Sequence, residues 1–181
     1  CLDEGAVFIE NLVAKDEAEP MPTRFPGSVH NAPAGQVAID LGATGLNSAP
    51  TMGEISFESA LWQAMNQVAT NEADEALAGG VDELNKYVLS IGKRWGFWND
   101  RTIPGEAAVI ANLAGPDSSK PALARVTAVR LGRYRRPFHA EHEADWIAQS
   151  VDLAKIQTVV TGAGGWAELD PHYQAIVTAL F

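Results

Sequence analysis

A single cysteine, Cys1, among 181 residues excludes an intrachain disulfide and any cysteine-rich metal site. No apolar run approaches the roughly 20 residues that span a bilayer. No basic stretch followed by an apolar core marks a secretory signal at the N-terminus. The chain does not open with Met, so a start is expected to have been removed or left out. Positive charge is scarce as well: 13 Lys and Arg stand against 23 Asp and Glu, a formal net charge of -10. That balance disfavours a general nucleic-acid binder, whose affinity rests on neutralising phosphates, and it disfavours adsorption to anionic membranes. Nothing here argues against a reducing cytoplasm, which is the expected compartment.

What the chain does have is an ordinary hydrophobic fraction, 46%, and enough length for one domain with a core. Its basic residues are unevenly spread. Arg130, Arg133, Arg135 and Arg136 cluster, either as a solvated loop or as a docking patch for an acidic partner.

Periodicity and breakers divide the chain into alternating elements. Gly5 to Val13 (GAVFIENLV) reads as a short buried strand, and Glu19 to Pro26, with three prolines, as a loop. A helix is expected through Asp40, with Ser28 as a cap and Pro33 limiting where it begins. Leu46 to Pro50 is short and strand-like. Phe57, Ala60, Leu61, Ala64, Met65 and Val68 recur at helical spacing, predicting a mostly buried helix. Glu75 to Gly80 (EALAGG) reads as a strand ending in two glycines, and Val81 to Ile91 as a helix stopped by Gly92. Arg94 to Ile103 is an aromatic loop. Glu106 to Leu113 and Leu123 to Leu131 are expected to form a hairpin around a turn from Gly115 to Pro121. Ala140 to Ser150 reads as a helix and Ile156 to Val160 (IQTVV) as a β-branched strand before the glycine-rich Thr161 to Gly165. Asp170 and Pro171 open a final helix with Tyr173, Ile176, Val177 and Leu180 on one face. The alternation argues an α/β domain with helices on a mixed sheet.

Four of these segments, in order, resemble β-ketoacyl synthases. Gly27 to Gly45 (GSVHNAPAGQVAIDLGATG) is similar to the stretch leading to their active-site strand. Phe57 to Gly80 is similar to their nucleophile helix and the strand ending in paired glycines. Pro104 to Leu113 (PGEAAVIANL) resembles their "GEGA" strand, and Ile156 to Phe181 the start of their second half. Among such proteins the chain most resembles those described as chain length factors. The resemblance implies a thiolase-like, layered αβα fold: an N-terminal half over residues 1–181, with 151–181 as the start of the second half.

The family's chemistry depends on a cysteine in a tight turn entering a helix, where the helix N-terminus stabilises the thiolate. Counting back from Asp74, Gly79 and Gly80, that position is Glu54, an ionised side chain and a poor acyl acceptor. The first of two histidines that support the enolate should precede the glycine-rich loop, where Thr161 stands; the second would lie beyond Phe181. The resemblance therefore implies no catalytic residue at the visible positions. Two readings of Glu54 stay open. Thr51 to Glu54 (TMGE) matches a capping box, with Thr51 as N-cap and Glu54 favourable to the helix dipole. Alternatively Glu54 is a polar plug that mimics a charged acyl intermediate. Met52, Glu54 and Phe57 are expected to line a cavity, and Leu46, Asn47, Ser48, Ala49 and Pro50 to form a dimer seam.

Other candidates carry less. His30 reads as a structural or interface histidine. His139 and His142 have i, i+3 spacing but no third ligand, and His172 is expected to be exposed. Gly162 to Gly165 lacks the lysine and spacing of a phosphate loop. Trp62, Trp95, Trp98, Trp146 and Trp166 are expected as core or interface anchors. No metal or cofactor is expected. The leading function is a non-catalytic subunit of type II fatty-acid or polyketide-like biosynthesis. It would pair with an active ketosynthase, or with itself, with an acyl carrier protein as a further expected partner. The alternatives are a malonyl-thioester decarboxylase, or another acyl-thioester enzyme with an altered site, and a homodimeric acyl-binding protein.

Overall fold

The computed structural model describes residues 2–19, 21–96, 102–132, 138–162 and 170–181. It is mixed α/β: seven α-helices, two short 3-10 turns and a two-stranded sheet among these residues. The chain divides into two compact units, Cys1–Tyr87 with Gly105–Leu131, and Val88–Pro104 with Gly132–Phe181.

In the first unit, α1 (Leu2–Ala14) replaces the strand expected over Gly5 to Val13. A nine-residue, mostly apolar segment cannot be assigned by periodicity alone. Here Asp3 and Glu4 suit the positive end of a helix, and the Asn11 amide donates to the Val7 carbonyl one turn back at 2.8 Å. Its partner is the short α2 (Phe25–Ser28): Phe8 and Phe25 meet edge to face at 5.9 Å, and Arg24 pairs with Glu4 at 2.9 Å. Next comes α3 (Ala32–Leu41), which starts at Asn31 and Pro33 rather than at Ser28. The Ser28 hydroxyl instead donates to Phe25 O at 2.8 Å within α2. Gly42 closes α3 with φ 64°, a left-handed cap that favours glycine.

The helix α4 (Ser56–Ala69) forms where the apolar spacing predicts it. Its central residues are half-buried, and Ser59 and Ala64 are buried. It lies chiefly over β1 (Glu75–Asp82) and only weakly over β2 (Ala107–Ala114). The two strands are antiparallel, with Glu75 opposite Ala114 and Asp82 opposite Ala107. Ala78 is buried beneath α4, while Leu77, Val81 and Ile110 belong to the opposite, open face.

Several expected elements differ. Val81 and Asp82 continue β1, and α5 (Lys86–Arg94) begins late because the Asn85 side-chain oxygen accepts the Tyr87 N–H at 3.0 Å. Gly92 lies inside α5, and Gly96, at φ 74°, follows its end. Leu123 to Leu131 forms no strand, so the expected hairpin is absent and β2 pairs with β1 instead. The turn does close, with Ser118 N–H on Gly115 O at 3.1 Å, but Lys120 is then held by Glu75. Leu46 to Pro50 and Ile156 to Val160 are not strands either. Neither has a ladder partner among the described residues, and strand propensity cannot supply one.

The second unit packs α6 (Ala140–Ala148) against α7 (Asp170–Leu180), both close to expectation. Ala144 is buried there, and Tyr173, Ile176, Val177 and Leu180 are half-buried. Trp62, Trp95 and Trp146 are 45%, 67% and 37% exposed, so they do not form the core. Buried apolar side chains are confined to Ala64, Ala78 and Ala144 among the described residues.

Two predictions arise from the sheet. A Cβ on Gly79 would stand 3.0 Å from both Ile110 Cγ1 and Val109 O, and a backbone carbonyl has little room to yield. Gly79→Ala is expected to destabilise by about 1–3 kcal/mol in denaturant unfolding. Gly80→Ala, whose Cβ would meet only Phe57 at ordinary contact, is expected to be neutral or stabilising by up to about 1 kcal/mol.

The second prediction concerns acid. The Asn112 amide, 2.8 Å from Glu75, and the Lys120 ammonium hold the Glu75 carboxyl below its ordinary 4.5. A depressed carboxylate contributes stability above its unfolded value, and that stability is lost as pH falls through the folded value. Thermal melts below pH 4.5 should therefore show a smaller acid loss for Glu75→Gln than for the wild type. The difference is modest because water screens the exposed pair.

Candidate functional site

The turn between α3 and α4 carries the position that the sequence singles out. Gly53 takes φ 64° and opens a 3-10 turn, Gly53–Ile55, directly ahead of α4. A left-handed residue here bends the chain sharply into the helix, which explains glycine at this point. Ser56 then locks the turn: its hydroxyl accepts the Met52 N–H at 2.9 Å and donates to Gly53 O at 2.6 Å. The Ser59 hydroxyl, 2% exposed, donates to Ile55 O at 2.7 Å and lies 3.3 Å from Met52 Sδ.

This arrangement corrects the capping-box reading. The helix begins at Ser56, so Thr51 and Glu54 do not occupy its N-cap and N3 positions. The Glu54 backbone lies in the 3-10 turn, and its side chain is outside the described residues. Met52 is 56% exposed, whereas Phe57 is half-buried against Gly80, whose missing Cβ would come within 3.5 Å of its ring. The start of α4 thus sits on Gly80 of β1. Sequence reasoning missed Ser56 and Ser59; the signal was two serines three apart at the start of the apolar period.

The expected seam, Leu46 to Pro50, runs into this turn from the α3 side. The Asn47 amide donates to Ala34 O at 3.0 Å and ties it to α3. Leu46, Asn47 and Ser48 are exposed, and Ala49 and Pro50 are half-buried. Thr161 lies in the second unit and is exposed. A Cβ on its neighbour Gly162 would stand 2.6 Å from the Tyr173 hydroxyl oxygen, so only glycine fits there without a shift.

The remaining candidates are placed as follows. His30 is exposed. His172 is half-buried, not exposed, because it stacks on Phe138 with ring centroids 4.2 Å apart. His139 and His142 are 5.2 Å apart, ring to ring. No group of three or more His, Cys, Asp or Glu among the described residues is placed to hold a metal. Arg130 is exposed; Arg133, Arg135, Arg136, Trp98, Trp166 and most of the glycine-rich loop lie outside the described residues. No helix among the described residues is long and apolar enough to cross a membrane.

Residues 6–84 match the family model described as "Beta-ketoacyl synthase, N-terminal domain", which supports a ketosynthase-like protein. The matched stretch is less than half of the 181-residue chain, and it contains the Gly53 turn, α4 and β1. No curated protein and no solved structure gives a match.

Proposed function

We propose that the chain is a non-catalytic, chain-length-factor-type subunit that partners an active β-ketoacyl synthase in type II fatty-acid or polyketide-like biosynthesis. The observation that carries this reading is Glu54 in the tight turn entering α4, where the resembled family needs a cysteine. The family match spans that turn and so supports aligning it with the nucleophile turn. In the same frame Thr161 replaces the first histidine, and Met52, Glu54 and Phe57 line a shared cavity. The fold that goes with this role is the thiolase-like layered αβα arrangement. The seam is Leu46, Asn47, Ser48, Ala49 and Pro50, with an acyl carrier protein as a further partner and the cytoplasm as the compartment.

Exposed Leu46 and Met52 at this turn favour a subunit with a mate, because uncharged apolar surface of this kind is costly to leave in water. The test is co-expression with an active ketosynthase, followed by size-exclusion chromatography with light scattering. A one-to-one complex that condenses thioesters only when both chains are present supports the proposal. Active ketosynthase that ignores this chain rejects it.

A further inference from the structure

The turn ahead of α4 carries the most exposed methionine of the chain. Met52 is 56% exposed, whereas the other two, Met21 and Met65, are half-buried. Met65 belongs to the apolar period of α4. The Met52 backbone is fixed, because the Ser56 hydroxyl accepts its N–H at 2.9 Å. A thioether sulfur is soft and polarizable, and its oxidation follows its access to solvent.

The sulfur is not open on every side. The Ser59 hydroxyl lies 3.3 Å from Met52 Sδ, in hydrogen-bonding position, and is itself held at 2.7 Å by Ile55 O. Ser59 is 2% exposed, so this flank of the sulfur faces the chain rather than water. An oxidant must bring an oxygen atom to bonding distance along one of the sulfur's two lone pairs. An oxygen already in contact there leaves no room for it on the Ser59 side. Approach is left to the opposite flank.

The geometry points to Met52 as a peroxide-reactive modification site whose oxidation yields chiefly one sulfoxide epimer. A lone pair of Sδ on the flank away from Ser59 attacks hydrogen peroxide. The S–O bond forms as the O–O bond breaks, and the leaving oxygen takes the proton of the transferred one and departs as water. Sulfur goes from thioether to sulfoxide, and the peroxide is reduced. The hydrogen bonds that fix the turn do not need that lone pair. Ser56 keeps Met52 N–H and Gly53 O, and Ser59 keeps Ile55 O. Oxidation therefore turns an apolar surface polar at the entrance to α4 without unlocking the turn, and sulfoxide reductases reverse it.

Limited oxidation with hydrogen peroxide tests the site, using Cys1→Ser as background so that no thiol competes. Trypsin and a glutamate-specific protease together place Met21, Met52 and Met65 in separate peptides, and mass spectrometry reads each one. Met52 is expected to gain oxygen at least about threefold faster than either of the others. Equal rates, or earlier oxidation of Met21 or Met65, would overturn the proposal. The two classes of methionine sulfoxide reductase each accept one epimer. Applied to the digest, one class alone is expected to remove most of the oxygen from Met52; an even division between them would overturn the blocked flank. Ser59→Ala opens that flank and is expected to bring the epimers towards equality. An unchanged ratio would overturn the part given to Ser59.

Discussion

Incubated alone with acyl or malonyl thioesters, the protein is expected to gain no stable mass adduct and to form no condensation product. On the proposed reading, Glu54 of this turn stands where an acyl acceptor needs a thiol, and an acyl anhydride there would hydrolyse readily. The nearby hydroxyls offer no substitute. Ser56 and Ser59 both donate their protons to backbone carbonyls of the same turn, and Ser59 is buried. Among the described residues neither has a histidine as a hydrogen-bond partner to act as base. Intact-mass spectrometry checks the prediction directly. A stable adduct on any residue from Ser48 to Ser59 would overturn the non-catalytic reading. Glu54→Cys is expected to restore at most acylation. Thr161 cannot replace the imidazole that supports the developing enolate, and losing such a donor costs about 10²–10³ in rate. Condensation at the rate of an active ketosynthase by Glu54→Cys alone would show that Thr161 is misassigned.

How much of this was legible depended on whether the signal was local. The apolar spacing from Phe57 to Val68 predicts α4 because a helix satisfies its own backbone, and the structure differs only by a residue at each end. The same holds for α6 and α7. Strands answer to partners instead. EALAGG became β1 because β2 lies beside it, whereas LNSAP, LARVTAVRL and IQTVV share strand-like composition and have no ladder among the described residues. GAVFIENLV failed differently: its nine residues suit either period, and the acidic pair Asp3 and Glu4 just before it was the overlooked helix signal. At the candidate site a turn at Glu54, just ahead of the apolar period, could be read. The left-handed Gly53 and the Ser56 lock could not, since TMGE satisfies the capping-box pattern whether or not the helix starts there.

Ala49→Asp is expected to abolish pairing with the proposed ketosynthase partner while leaving the chain itself folded. Residues 46–52 contain no charge, and they sit beside the Gly53 turn with their backbone outside any ladder among the described residues. In the resembled family the corresponding segment pairs across a two-fold axis, so backbone groups of residues 46–50 that lie outside any ladder here would be satisfied by the mate. Ala49 is only half-buried in this chain, so a carboxylate there keeps its water and costs the monomer little. Closing the seam over the same carboxylate removes that water without supplying a cation. Leaving a charge unpaired in an interface costs about 2–5 kcal/mol, a loss of roughly 30-fold to several thousand-fold in affinity. Light scattering of co-expressed chains reads the loss of the dimer, and a thermal melt of the isolated variant confirms that folding is retained. A seam elsewhere would leave the Ala49→Asp complex intact. Wild-type protein that stays a soluble monomer both with and without the ketosynthase would reject the subunit reading itself. The asymmetry between a tolerated charge in the free chain and a prohibitive one in the complex is what separates a docking seam from an ordinary exposed loop.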